Sequence, residues 1–243
     1  MIFVFLFLCN FSNPNIWDFD PIKSTDTLQY IMGKFEPSKH SLFAKIPSTY
    51  SVKTGQYLRK ETLAAFIKMA NAAQEDGIKL KILSATRNFN AQKIIWENKW
   101  TGKTLVEKGQ NLAKTQKDPI KRAQKILEYS SMPSTSRHHW GTDMDLNALN
   151  NEYFTTGEGK KIYDWLNRHA AEYGFCQPYT AGRPVGYNEE KWHWSHLPVS
   201  KPLTDFCQSK MFNDKITGFL GSQTALSIDI VKKYMLGINP ECL

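Results

Sequence analysis

Two short segments concentrate side chains that can hold a metal and move protons. The first contains Ser136, His138, His139, Gly141, Asp143 and Asp145, and the second contains Glu189, Glu190, Trp192, His193 and His196. Together they carry four of the six histidines in the chain. A catalytic zinc takes three protein ligands, commonly imidazole and carboxylate, and keeps one position for water. His138 and Asp145 converge if the turn at Gly141 folds the loop back onto its strand, and His193 completes the set from a distant strand. Asp145 is a harder oxygen ligand than a thiolate and leaves the metal a stronger Lewis acid. Glu190, three residues before His193, can lie beside the metal without binding it. There it would be a general base toward the hydrolytic water and then an acid toward the leaving amine. A histidine beside tryptophan is ordinarily a packing residue. Two such segments bracketed by Trp140, Trp192 and Trp194 favour a metal site over coincidence.

The pattern Ser136-x-His138-x-x-Gly141-x-x-x-Asp145, followed by Glu190-x-Trp192-His193, resembles the LAS metallopeptidases, and most closely the VanY-type D-alanyl-D-alanine carboxypeptidases. A third stretch, Ser84 to Gln92 with Arg87 inside it, is similar to the family's Ser-Gly-Tyr-Arg-Ser-x-x-x-Gln segment. The three matches come in the family order and span about residues 80–196. The resemblance implies an α+β fold, a single domain whose small antiparallel sheet carries the zinc and is flanked by helices. It implies His138, Asp145 and His193 as metal ligands, Glu190 as the base, and Arg87 facing the substrate carbonyl or terminal carboxylate. Gln92 and Ser136 would help to bind the peptide. The implied activity is zinc-dependent D,D-carboxypeptidase action on peptidoglycan stem peptides. L,D-carboxypeptidase, dipeptidase or endopeptidase action on the same stems is the alternative, as is a zinc-containing cell-wall-binding module without catalysis. Retention of Glu190 and Arg87 argues against the module, which needs no general base.

The chain also departs from the family pattern. Asp143 stands where the family usually has alanine. Two residues from Asp145 on a strand, it shares that residue's face, either to orient a histidine or to compete for the metal. His139 is an alternative ligand at the wrong spacing. His196 is read as a structural histidine, and Ala85 with Thr86 replaces Gly-Tyr in the pocket wall.

The elements that must position these groups can be read from periodicity. Residues 10–60 show little and read as an irregular lead. A helix is expected over 60–73, stopped by Gly77, then a short strand at 80–83 and a helix cap near Asn88. Helical stretches at 91–113, interrupted by Gly102 and Gly109, and at 119–129 precede a loop at 133–140 that enters a strand at 142–147. A helix at 159–173 ends at Gly174, with strands at 175–177 and 192–195. Residues 200–243 read as an extension packed on the domain, with one helix at 222–234. Helices and strands mix without βαβ alternation, which favours α+β. The peptidase domain is expected over 21–199.

Composition bounds the rest. Hydrophobic residues make up 41% of the 243, enough for a sizeable core. The net charge of +8 is spread along the chain without a groove-reading motif, so no nucleic-acid partner is expected. The apolar run at 2–8 is far shorter than the ~20 residues a membrane helix needs and reads as an export signal or N-terminal anchor within 1–20. Cys9 follows it as a candidate lipidation site. Export would place the protein in the periplasm or cell envelope. There Cys207 and Cys242 are candidates to bridge and tie down the tail.

Overall fold

The computed structural model describes residues 24–243. The expected export signal at 1–20, with Cys9, lies outside these residues. A helix, α1 (Ser24–Ile31), leads into a two-stranded antiparallel pair, β1 (Phe43–Lys45) and β2 (Tyr57–Arg59). Helix α2 (Lys60–Glu75) follows without a break. Its Leu63, Phe66, Met69, Ala70 and Ala73 recur at helical spacing and are buried, and Gly77 turns the chain at a φ of +75°. The lead expected to be irregular therefore holds four short elements, α1, β1, β2 and a 3₁₀ turn (Pro37–Lys39). Their runs of three to eight residues are too brief for a periodicity to emerge.

The sheet that matters is four-stranded and antiparallel, in the order β3 (Ile82–Ser84), β4 (Asp143–Leu146), β6 (His193–His196), β5 (Phe175–Cys176). Register pairs Asp145 with His193, Met144 with Trp194, and Asp143 with Ser195. Because side chains alternate along a strand, one face collects Asp143, Asp145, His193 and Ser195 while the other turns Met144 and Trp194 inward. That inward face joins Phe66, Met69, Ile82 and Leu146, with Ile162 and Trp165 of α6 (Gly157–His169), in one core. α6 is succeeded by a 3₁₀ turn and by Gly174 in the left-handed region.

On the other side, α3 (Phe89–Trp100), α4 (Leu112–Thr115), α5 (Pro119–Ile126), α7 (Leu197–Lys210) and α8 (Thr224–Ile228) build a second core around Trp96, Trp140, Leu203, Cys207 and Met235. The expected run at 91–113 is thus two helices, parted where Gly102 adopts a φ of +76°. The C-terminal extension also differs from expectation. α7 crosses residue 200, where the extension was set to begin, and carries Pro198 in its first turn and Pro202 within it. A proline in the first turn costs no helix hydrogen bond, because those N–H groups have no partner within the helix. The helix is also held through burial of Leu203, Thr204 and Cys207. Among the described residues no helix is long and apolar enough to cross a membrane.

The candidate Cys207–Cys242 bridge is not formed; Cys242 bonds Cys176, with Cα atoms 5.8 Å apart. Cys207 faces the core from α7 as a free, buried thiol, and burial pushes its pKa up. The C-terminal turn instead returns to the strand edge, where the Asn239 N–H donates to the Pro178 carbonyl at 2.8 Å and its side chain to that of Gln177 at 3.2 Å. A crosslink closing a loop of 66 residues restricts the unfolded chain strongly. Reduction, or Cys242→Ser, is expected to lower unfolding free energy by about 2–4 kcal/mol in urea titrations. Cys207 should stay unreactive to thiol reagents until the protein unfolds.

Candidate metal centre

Four segments meet on the open face of the sheet. The loop after β3 brings Arg87, a 3₁₀ turn (Arg137–Trp140) brings His138, β4 brings Asp145, and β6 brings His193 with Glu190 just ahead of it. The 3₁₀ turn can fold back onto β4 because Gly141 follows it at a φ of +74°, and a Cβ there would lie 2.4 Å from the Phe43 ring. The loop and the turn are stitched together. The Arg87 N–H donates to the His138 carbonyl at 3.2 Å, and His138 Nδ1 pairs with the Ala85 carbonyl at 2.9 Å.

The donor atoms of His138, Asp145 and His193 lie within 4.8 Å of one another, and all three residues are buried. The outer nitrogens fix how each ring presents itself. His138 Nδ1 faces a carbonyl and must carry the proton, so Nε2 turns its lone pair inward, 3.3 Å from Asp145 Oδ1. His193 Nε2 donates to Asp143 Oδ1 at 2.9 Å, leaving Nδ1 3.1 Å from Asp145 Oδ1. Two imidazole nitrogens and one carboxylate oxygen, each oriented from behind by a second partner, suit a zinc-like divalent cation.

Charge is arranged around this set. Burial opposes ionisation of Asp145, but His138 and His193 hold its carboxyl well below the usual range. Burial likewise opposes protonation of His193, yet hydrogen bonds to Asp143 and Asp145 carry it up to about 9. His138 is lowered by burial and by Arg87. Glu190 Oε2 stands 3.5 Å from His193 Nδ1, and burial pushes this carboxyl up to about 8. Its backbone is clamped, with its N–H donating to the Tyr179 carbonyl and its carbonyl accepting from Gln177 Nε2 at 3.1 Å.

Arg87 is 3.6 Å from Asp145 Oδ2 and donates through Nε to Gln92 Oε1 at 2.9 Å. Gln92 uses its other end on the Ser131 carbonyl, so both halves of its amide are committed and it acts on the site through Arg87. Arg87, Gln92, His138, Asp145, Glu190 and His193 all line one cavity of about 430 Å³. Ser136 is not brought to it. It is fully buried, and its hydroxyl makes no hydrogen bond among the described residues.

The geometry separates the remaining candidates. Asp143 does not join the ligand set. It is spent on His193, Arg137 Nε at 3.0 Å, Ser195 Oγ at 2.9 Å and Thr142 Oγ1 at 2.5 Å. His139 is excluded as a ligand, since Nε2 accepts from the Ser134 N–H and Nδ1 donates to the Arg87 carbonyl at 2.6 Å. His196 packs on Phe175 and pairs with Thr62 Oγ1 at 3.2 Å, away from the cavity. Sequence reasoning gave no role to Arg137. Its side chain is buried, and it donates to Asp143, Thr204 and Ser195 with its guanidinium 4.5 Å from the Trp140 ring centroid. A charged residue between two motif positions, three before the tryptophan it stacks on, was the available signal.

An open-faced antiparallel sheet presenting a buried His–Asp–His set with a nearby carboxylate and a guanidinium is a candidate metal centre of the peptidase type. Residues 55–199 match the family VanY: D-alanyl-D-alanine carboxypeptidase, more than half of the chain, and the chain belongs to that family. "Putative carboxypeptidase YodJ" of Bacillus subtilis (strain 168) is 28% identical over 179 residues, 70% of this chain and 57% of that protein. An uncharacterized protein of Haemophilus influenzae (strain ATCC 51907 / DSM 11121 / KW20 / Rd) is 29% identical over 89 residues, 36% of this chain and 60% of its own length. The chain thus spans under two thirds of either curated relative. In fold it is similar to the LdcB LD-carboxypeptidase, with a TM-score of 0.52 and 23% identity, covering 71% of this chain and 76% of that one. It is similar also to VanYB, solved in complex with D-alanine-D-alanine, at a TM-score of 0.51 and 19% identity, covering 71% and 86%.

Two outcomes follow from these contacts. Asp143→Asn keeps the shape but removes the charge behind His193, so zinc affinity measured by chelator competition should fall about tenfold to a hundredfold. His196 is driven down to about 4 by burial, against an ordinary 6.5. A buried neutral histidine leaves stability intact above the unfolded value and erodes it as pH falls toward the folded one. Urea titrations should therefore lose stability between pH 6.5 and pH 4, and His196→Gln should make that slope shallower by up to about 1.4 kcal/mol per pH unit.

Proposed function

We propose that this chain is a zinc-dependent D,D-carboxypeptidase that hydrolyses the terminal D-alanine amide of peptidoglycan stem peptides. The observation that carries the proposal is the convergence of two correctly presented imidazoles on Asp145, with Glu190 and Arg87 facing the same cavity. The family's own description supports the D-alanyl-D-alanine substrate class. Zinc held by His138, Asp145 and His193 would polarise the scissile carbonyl and acidify a water.

The protein's own groups supply the remainder. Glu190 takes a proton from the attacking water at its carboxylate oxygen and returns it to the leaving amine nitrogen. Its clamped backbone holds that carboxylate beside His193, so little reorganisation is needed at the moment of transfer. Arg87, fixed by Gln92 and Asp145, points a guanidinium at the carbonyl oxygen as negative charge develops there. A cavity of about 430 Å³ suits a short peptide end. The disulfide between Cys176 and Cys242 supports export to an oxidising compartment, in line with the apolar run at 2–8.

Zinc content should be measured beside D-alanine release from a muramyl pentapeptide, on wild type and Glu190→Gln. Both should hold one zinc, with release reduced about a hundredfold to ten-thousandfold in the variant. His193→Ala should lose the metal. Zinc in wild type without release would overturn the carboxypeptidase reading, and stem-peptide binding under those conditions would favour the binding module.

A further inference from the structure

We propose that Lys99 recognises the free C-terminal carboxylate of the substrate peptide, so that the cleft acts at a chain end and not within a chain. The inference rests on the peptidase reading above and adds the residue that would make it an exopeptidase.

Lys99 lies on α3 seven residues after Gln92. Seven helical steps return to nearly the same face about 10 Å along the axis, so the helix that steadies Arg87 with one end presents Lys99 with the other. Both residues line the cavity that holds Glu190. The cavity's other cations are already compensated. Arg87 faces Asp145 Oδ2 at 3.6 Å, and Lys125 pairs with Glu128 Oε2 at 2.6 Å. Lys99 makes one hydrogen bond, to Ser130 Oγ at 2.5 Å, and no ion pair with any described residue. It is half-buried, and its ammonium is felt by Glu190, whose charge opposes the effect of burial on Lys99.

A half-buried ammonium without a carboxylate is costly, and the cost falls when an anion arrives. Ser130 makes that anion site specific. Its hydroxyl accepts from Lys99 and keeps its own proton, so an incoming carboxylate meets an N–H and an O–H donor side by side. In a carboxypeptidase substrate the terminal carboxylate lies only about one residue, ~3.8 Å, beyond the scissile bond. The cation that reads it must therefore share a cavity with the base, as Lys99 does with Glu190.

Binding can be read without turnover in the zinc-loaded Glu190→Gln protein, by calorimetry with Nα-acetyl-D-alanyl-D-alanine and its C-terminal amide. The acid should bind at least about tenfold tighter than the amide, and adding Lys99→Met should weaken the acid about ten- to a hundredfold while leaving the amide within about twofold. Lys99→Arg should keep most of the preference. Zinc stoichiometry checks that Lys99→Met is intact. An unchanged acid-to-amide ratio, an equal loss for both ligands, or no preference in the parent would overturn the proposal. So would a stem peptide for which Lys99→Met erases discrimination at a side-chain carboxylate and not at the terminus. Wild-type turnover is scored separately: its absence would sink the carboxypeptidase reading and leave this comparison standing.

Discussion

Asp143 is a carboxylate with no access to water, and the fold around the metal centre is arranged to satisfy it. Arg137, Thr142, Ser195 and His193 all donate to its two oxygens. Stripping such a group of its partners would strand a buried charge, an outcome that costs several kcal/mol in proteins. Arg137 has the same need in reverse. It is met by Asp143, by Ser195 at 2.9 Å, by Thr204 at 3.0 Å and by the face of Trp140. The pair neutralises itself, so Asp143 contributes orientation to His193 without acting as a rival ligand. Asp145 is then the carboxylate left to face the cavity beside both imidazoles.

The sheet keeps stability and chemistry on separate faces. Met144 and Trp194 bury against α2 and α6, and a change there would be felt as a packing defect. Asp145 and His193, opposite each other in register, inherit their spacing from that packed face without having to contribute to it. A one-residue slip of β4 against β6 would exchange the two sets and bring polar groups into the core, so the hydrophobic face fixes the register of Asp145 and His193.

How far the sequence could be read follows from contact distance along the chain. His138 with Asp145, and Glu190 with His193, are local pairs whose spacing already implies a turn and a shared strand edge. The placement of Asp143 beside Asp145 followed from the alternation of a strand. Contacts between remote segments were not legible. Nothing near Cys242 distinguishes Cys176 from Cys207 as its partner; the choice is made by Asn239 docking on the strand edge at 177–178. A proline within a run ordinarily argues against a helix, yet burial of Leu203 and Cys207 carries α7 through Pro202. Ser136 occupies a motif position, but the 3₁₀ turn that aims His138 at the cavity leaves Ser136 enclosed.

The C-terminal extension supports the centre from two directions. From α7, Thr204 accepts from Arg137, which holds Asp143, which holds His193. At the far end, Cys242 is bonded to Cys176, and Asn239 is bonded to the backbone at 177 and 178. Gln177 in turn holds the Glu190 carbonyl, and Tyr179 takes its N–H. One path therefore ends on His193 and the other on Glu190, although none of the extension's residues lines the cavity. The relative placement of Glu190 and His193 depends on both paths at once. The 44 residues from 200 onward are in this sense part of the apparatus that sets the 3.5 Å approach between these two groups.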